Sequence, residues 1–150
     1  MPCLSLQSPL GPMTLTEIDG TVTSLEWRWS KTQEETGLLT LVRHQLADYF
    51  YGRLTDFSLP LAPLGTPFQH RVWRAMCNIP YGEVRSYGEI AKGLKTGPPA
   101  VGAACARNPL PVLIPCHRIV AANGALTGYT GADGLASKEF LLNLEGVKTH

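Results

Sequence analysis

Hydrophobic and polar positions alternate near the start of the chain and then change to a helical period. Residues 13–18 alternate apolar and polar side chains, which is typical of a half-buried strand. Asp19-Gly20 follows as a two-residue hairpin turn, and residues 21–29 return as a second strand. Residues 38–50 repeat apolar side chains at spacings of three and four, which predicts a helix that Gly52 ends.

A proline-rich stretch separates this half of the chain from the next. Residues 59–65 contain two prolines and a glycine and no charge, so we place a domain boundary there, with domains 1–62 and 63–150. After the boundary, Thr66-Pro67 has the form of a capping residue followed by proline in the first helical turn. Ser86 and Glu89 have the spacing of a capping box, which predicts a short helix that ends at Leu94.

A helix-turn-helix pattern follows. A glycine-containing turn at residues 95–97 leads to a helix over 100–107, which Pro98-Pro99 starts and Asn108-Pro109 ends. This second helix is rich in small side chains, which allow close approach to a groove wall but also suit packing between helices. The last helix is predicted over 136–144, with Phe140, Leu141 and Leu144 on its apolar face.

Composition indicates an ordinary globular protein but does not indicate its function. Apolar residues make up 44% and charged residues 17% of the chain, as in ordinary globular proteins. No apolar run reaches the roughly 20 residues of a membrane helix. The N-terminus lacks the features of a secretory signal, so we expect a cytoplasmic location.

The net charge of +1 is unevenly divided along the chain. Residues 1–62 carry four basic and seven acidic side chains, whereas residues 63–150 carry nine and five. A basic half beside an acidic half suggests that the basic half meets a polyanion, although a surplus of this size is a weak signal alone.

The cysteines and one histidine supply the candidate chemistry. Four cysteines, at positions 3, 77, 105 and 116, form no CxxC pair, and we predict neither a disulfide framework nor a metal site. A buried thiol is usually unreactive, whereas a neighbouring base such as His117 can stabilise the thiolate of Cys116. Contact between the two needs a turn, for which Pro115 is suited, or a bridging water; Glu145 is a candidate to orient the histidine. Composition alone favours a structural cysteine beside a satisfied core histidine.

The segment Pro115-Cys116-His117-Arg118-Ile119 resembles the signature of the O6-alkylguanine-DNA alkyltransferases, the methylated-DNA–protein-cysteine methyltransferases, in which the fifth residue is usually Val. The resemblance extends in the family's order over roughly residues 65–147 and more loosely through Ser8–Met13. The matching segments are Gly65–Gln69, Val72-Trp73, Ile79–Glu83, Ser86-Tyr87, Ala100–Gly102, Asn108-Pro109, Leu126–Tyr129 and Leu141–Gly146.

The resemblance implies a role for each matching residue. Cys116 is the alkyl acceptor, His117 is the general base through a bridging water, and Glu145 orients and polarises His117. Asn108 ties the recognition segment to the site, and Tyr87 donates a proton to guanine N3. Substrate or DNA contacts are implied for Ser86 and Tyr87 at the DNA phosphate, Tyr129 and Thr130 over the extruded base, Pro111 and Ile119 in the pocket, and Pro99, Ala100, Arg107, Arg118 and Lys138.

The implied fold is α+β, with a small α/β domain like a degenerate ribonuclease H ahead of a helical, winged-helix-like DNA-binding domain. The implied activity is irreversible, stoichiometric transfer of the alkyl group from O6-alkylguanine in DNA, and by extension from O4-alkylthymine, to Cys116. We expect no cofactor, a monomer, no membrane partner, and double-stranded DNA containing O6-alkylguanine as the partner.

Two departures from the family pattern bear on this interpretation. Pro99 stands where the family keeps an arginine that intercalates in place of the flipped base, so it either supplies an apolar wedge or marks a weaker grip on the duplex. The loop around residues 131–134 is about two residues longer than common forms.

Two other classes of protein remain open. A non-enzymatic lesion-binding relative would lack the reactive cysteine, which this chain keeps. Another cysteine enzyme, such as an acyltransferase or protease, would need an oxyanion loop, which no segment marks.

Overall fold

The computed structural model describes residues 1–129 and 134–149, and the chain divides into two compact units between Leu64 and Gly65. Its α+β composition agrees with the predicted fold class. No helix in the described ranges is long and apolar enough to cross a membrane. The first unit contains β1 (Cys3–Ser8), β2 (Gly11–Ile18), β3 (Thr21–Glu26) and α1 (Gly37–Phe50).

The first unit is built on one antiparallel sheet with the strand order β1-β2-β3. Asp19 and Gly20 have φ angles of +49° and +76°, as the predicted hairpin turn requires. Partners in β2 and β3 change from Thr16↔Ser24 to Glu17↔Val22, which leaves Thr23 as an extra residue in β3. This bulge turns Val22 and Leu25 to the same buried side despite their odd spacing.

The second unit is mainly helical, with one short parallel pair of strands. Its elements are α2 (Pro67–Cys77), β4 (Arg85–Ser86), α3 (Tyr87–Leu94), α4 (Pro98–Ala106), a 3₁₀ turn (Cys116–Arg118), β5 (Ile119–Val120) and α5 (Leu135–Leu144). Both predicted helix starts are confirmed. Thr66 accepts a hydrogen bond from the Gln69 amide at 3.1 Å, Ser86 accepts one from the Glu89 amide at 3.0 Å, and each N3 side chain bonds back to the cap.

The helix-turn-helix consists of α3 and α4, joined through Lys95 in the left-handed conformation. Helix α4 begins at Pro98, two residues earlier than predicted, because proline fits a first helical turn whose amides have no intrahelical partner. On its inner side Val101, Ala104 and Cys105 are buried, and the Ala104 carbonyl accepts a hydrogen bond from Trp73 Nε1 at 2.9 Å. Its outer side leaves Pro99 and other residues exposed. The small side chains on the inner side therefore serve packing between helices, and close approach to a groove wall stays a prediction for the outer side.

The apolar face predicted for the last helix is partly wrong. Phe140 is 38% exposed, whereas Ser137, Lys138, Leu141 and Leu142 are buried. The helix is rotated in this way because the Lys138 ammonium finds backbone carbonyls of Ile119 and Thr127 inside the unit. Helical periodicity alone cannot anticipate a buried lysine with such partners.

Candidate active site

A sharp turn presents Cys116. Pro115 has φ −79° and ψ +66°, and the Cys116 amide donates to the Ile114 carbonyl at 2.8 Å, which is an inverse γ-turn. The chain continues directly into the 3₁₀ turn, where the Arg118 amide donates to the Pro115 carbonyl at 3.0 Å. The turn that the sequence predicted at Pro115 is therefore present, and Cys116 and His117 do not lie on an extended strand.

The segment before this turn is strained and is held by Asn108. Val112 is buried with φ +72°, an outlying conformation for a β-branched residue that costs on the order of 1–3 kcal/mol. The Asn108 amide nitrogen donates to the Ile114 carbonyl at 2.9 Å, and its oxygen accepts from the Leu110 amide at 2.9 Å. Asn108 follows α4 and thereby couples that helix to the turn that carries Cys116.

His117 and Glu145 form a buried pair. His117 Nε2 lies 2.7 Å from Glu145 Oε2, and neither side chain has any exposed surface. Burial lowers the pKa of His117, and the Arg118 charge acts in the same direction, whereas Glu145 opposes both. The imidazole is therefore neutral at neutral pH, with its proton on the nitrogen that faces the carboxylate.

Arg118 forms an ion pair with that carboxylate. Its Nε donates to Glu145 Oε1 at 2.8 Å, its Nη2 to Oε2 at 3.0 Å, and its Nη1 to the Ile79 carbonyl at 2.7 Å. A carboxylate that accepts both guanidinium hydrogen bonds remains an acceptor for His117 Nε2–H. His117 Nδ1 is then a buried acceptor, and no described residue donates a hydrogen bond to it.

The Cys116 thiol is half-buried and is not intrinsically acidic. Burial raises the pKa of the Cys116 thiol, and the Asn108 hydrogen bond and the Lys138 charge oppose this only in part. A base is therefore needed to make the thiolate, and His117 Nδ1, on the next residue, has the free lone pair to serve.

Tyr87 and Lys138 meet at one backbone carbonyl. The Tyr87 hydroxyl donates to the Thr127 carbonyl at 3.2 Å, and Lys138 Nζ donates to the same oxygen at 2.7 Å. The ammonium also lies 5.8 Å from the centre of the Tyr87 ring. Burial raises the pKa of the Tyr87 phenol, so this group is protonated at neutral pH.

Three of the residues with implied DNA or substrate contacts are buried in the structure. Arg118 and Lys138 are buried and bonded to Glu145 and to backbone carbonyls, so neither ion is available to a phosphate. Ile119 has no exposed surface and belongs to the core behind the turn, because its strand β5 pairs with β4 inside the unit. A family motif identifies such residues but not the direction in which they point.

The remaining implied contacts are spread over the surface and the loop. Pro99 and Arg107 are exposed, Ser86 and Ala100 are partly exposed, and Pro111 is buried beside the strained turn. Tyr129 is 7% exposed, and no described residue bonds its hydroxyl. Thr130 and most of the lengthened loop, residues 131–133, lie outside the described residues.

Sequence reasoning missed one member of this site. The Tyr81 ring lies 5.8 Å from the Arg118 guanidinium carbon, and its hydroxyl donates to the Leu144 carbonyl at 3.2 Å, next to Glu145. Tyr81 lies in one of the segments that resemble the family, which was the available signal, although no role followed from it.

Two family profiles match the chain, one in each unit. Residues 2–63 match the ribonuclease-like domain of 6-O-methylguanine DNA methyltransferase, and residues 67–147 match the DNA-binding domain of the same family. The chain belongs to the 6-O-methylguanine DNA methyltransferase family. The predicted family and order of domain types are thereby confirmed, including the likeness of the first domain to a ribonuclease.

Individual relatives of this methyltransferase family agree over nearly the whole chain. The constitutive methylated-DNA–protein-cysteine methyltransferase of Bacillus subtilis is 43% identical and aligns over 94% of this chain and 93% of its own length. The Mycobacterium leprae protein of that name is 44% identical, over 95% and 91%. The crystal structure of Mycobacterium tuberculosis OGT in complex with DNA superposes with a TM-score of 0.88 at 41% identity, covering 97% of this chain and 92% of that one.

Proposed function

We propose that this chain repairs DNA by direct reversal, transferring the alkyl group of O6-alkylguanine irreversibly to Cys116 Sγ. The observation that carries the proposal is the buried Arg118–Glu145–His117 arrangement, which fixes the histidine tautomer and leaves Nδ1 as a base beside the cysteine. Glu145 and Arg118 act as positioning residues, and no cofactor takes part.

The transfer is a displacement at the alkyl carbon. His117 Nδ1 takes the Cys116 proton through a bridging water, and the thiolate forms the S–C bond as the O6–C bond breaks. The electron pair of that bond passes to guanine, and Tyr87 donates a proton at guanine N3. Solvent returns the proton held by His117 to the Tyr87 phenolate, and the guanine proton relocates from N3 to N1. The net change replaces the thiol hydrogen by the alkyl group and restores guanine, and the stable thioether limits each molecule to one lesion.

The methyl carbon inside a duplex is inaccessible, so the base must leave the stack, at a cost of about a few kcal/mol. The exposed side of α4 has the small residues needed to lie close in a groove, with Arg107 for a phosphate and Pro99 as an apolar wedge. The substrate is double-stranded DNA, with O4-alkylthymine as a second lesion. We also propose that the two domains span residues 1–62 and 63–150 and that the protein is a cytoplasmic monomer.

The deciding experiment measures the mass of the protein after incubation with O6-methylguanine duplex DNA. One methyl group in place of one hydrogen is expected per molecule, on the peptide containing Cys116, and Cys116→Ala should remain unmodified while still binding the duplex. The matched control is Cys77→Ala, which removes an exposed thiol and should methylate normally. Burial raises the pKa of Cys105 to about 12, so that thiol does not compete. Tight lesion binding without added mass would instead identify a lesion-binding protein, and reaction with simple esters alone another cysteine enzyme.

Pro99→Arg is expected to accelerate repair of duplex DNA by about tenfold, because a guanidinium at this exposed position adds phosphate attraction and occupies the gap left by the base. The rate with free O6-methylguanine base should not change. Single-turnover rates with both substrates measure the effect, and Pro98→Arg places the same charge one residue away as a control. An unchanged duplex rate in Pro99→Arg would show that Pro99 does not limit base extrusion.

A further inference from the structure

The outer edge of β1 in the first unit is only partly covered. The Pro2 carbonyl accepts from the Glu17 amide, so these two residues form a hydrogen-bonded pair next to the β1–β2 ladder. Hydrogen-bonded and non-bonded pairs alternate along an antiparallel ladder. Cys3, Ser5 and Gln7 therefore lie in non-bonded pairs and direct their backbone groups outward, away from β2.

Other parts of the unit cap the beginning of this edge. The Cys3 carbonyl accepts from the Glu34 amide at 2.7 Å, and the Ser5 amide donates to Gln33 Oε1 at 2.7 Å. At Gln7, which is exposed, no residue in the described ranges bonds to the outward amide or carbonyl. Gln33 therefore accepts the hydrogen bond that a neighbouring strand would accept at Ser5, and the edge is open at Gln7. An open strand edge is where an extended peptide can add as a further strand.

A cleft of about 510 Å³ lies beside the open part of the edge. We call it the β1 cleft; β1 and α1 supply most of its lining, and Pro9, Trp29 and Tyr51 complete it. Leu6 and Phe50 contribute to its apolar surface, with Trp29 52% exposed and Tyr51 76% exposed. Large aromatic side chains that remain this exposed around a concave surface are typical of recognition sites.

The charge of the β1 cleft is opposite to that of its unit. Residues 1–62 carry a surplus of three acidic side chains, yet Arg43 is the charged residue that lines the cleft. Arg43 Nη2 lies 3.0 Å from Glu35 Oε1, in a pair whose side chains are 35% and 62% exposed. Exposed pairs of this kind contribute about 0–1 kcal/mol, so a carboxylate from a partner can replace Glu35 at little cost.

We propose that the β1 cleft binds an extended peptide segment of a partner protein, which pairs with the backbone of Gln7, places a large apolar side chain against Trp29 and Tyr51, and directs a carboxylate to Arg43. An extended peptide provides backbone hydrogen bonds, an apolar side chain and a carboxylate in one ligand, whereas an apolar small molecule leaves the Gln7 backbone unpaired. The site uses residues of the first unit alone and does not depend on alkyl transfer.

The test begins with a phage-displayed library of random ten-residue peptides, selected on the full-length protein. Enriched sequences are expected to combine an aromatic or large aliphatic residue with Asp or Glu, and the corresponding synthetic peptides should slow hydrogen exchange at the Gln7 amide. Gln7→Pro, which removes the outward N–H at an edge position where proline is tolerated, should weaken binding about tenfold, while Gln7→Ala should not. Arg43→Gln should weaken it similarly, and Arg28→Gln, an exposed arginine paired with Glu26, serves as its control.

Several outcomes would overturn the proposal. Absence of any enriched peptide, or peptides that bind Gln7→Pro and Arg43→Gln as well as they bind the unchanged protein, would exclude the site. Self-association of the chain that both variants abolish, measured by sedimentation velocity, would assign the cleft to a second copy instead. The methyl-transfer rate should be the same in all four variants, so failure here and failure of the repair function are separate results.

Discussion

Replacing Glu145 by alanine is expected to lower the free energy of unfolding by about 3–5 kcal/mol and to abolish measurable alkyl transfer. The carboxylate is fully buried and accepts hydrogen bonds from both Arg118 and His117. Its removal leaves a guanidinium inside the second unit without a counter-charge, and it frees the imidazole to change tautomer. Urea denaturation measures the first effect and single-turnover methyl transfer measures the second.

Two companion variants separate these causes. Glu83→Ala removes the acidic partner of an exposed pair, Arg85–Glu83 at 3.0 Å, and should cost about 0–1 kcal/mol with normal transfer. Glu145→Gln preserves the shape of the side chain but not its charge, so a folded protein with slow transfer is expected. If Glu145→Ala unfolds at the same urea concentration as Glu83→Ala, the buried ion pair does not stabilise the unit as inferred.

Features fixed by neighbouring residues could be predicted from the sequence. The helix cap at Thr66, the capping box at Ser86 and the turn at Asp19-Gly20 depend on side chains within three positions, and all three are present. Strand β1 was not predicted, although Leu4-Ser5-Leu6-Gln7 alternates apolar and polar side chains. The alternation also does not reveal that Ser5 is buried together with the leucines on either side. Ser5 is tolerated there only because its hydroxyl bonds to Thr14 and Gln33, each distant in sequence.

The candidate site shows the same division. The motif around Cys116 identifies the residue types, but not that Arg118 turns inward to Glu145, 27 positions away. A contact of Lys138 with DNA was implied by the family resemblance alone, whereas its partners are carbonyls that only the folded unit brings near. The positive φ of Val112 has no sequence signal at all, since neither its neighbours nor its own side chain favours that conformation.

His117→Gln is expected to slow single-turnover methyl transfer by about 10²–10⁴-fold, the usual contribution of a general base. The variant should also lose the decline of rate in acid that the unchanged protein shows. Because burial lowers the pKa of His117, that decline should have its midpoint below the ordinary histidine value of about 6.5. His44→Gln, which replaces an exposed histidine, should retain both the rate and the profile.

The lowered pKa of His117 makes both alkyl transfer and the free energy of unfolding depend on pH, and both decrease in acid. The folded chain favours neutral His117, so the stability that this preference contributes is complete above the histidine's unfolded-state pKa and is lost as pH falls through its lower folded-state pKa. Acid therefore removes the base and weakens the unit over one pH range. The free energy of unfolding of the unchanged protein minus that of His117→Gln should be largest near neutral pH and should decrease as the pH falls. A decline of rate centred above the ordinary histidine value, or one that persists in His117→Gln, would mean that another group supplies the base.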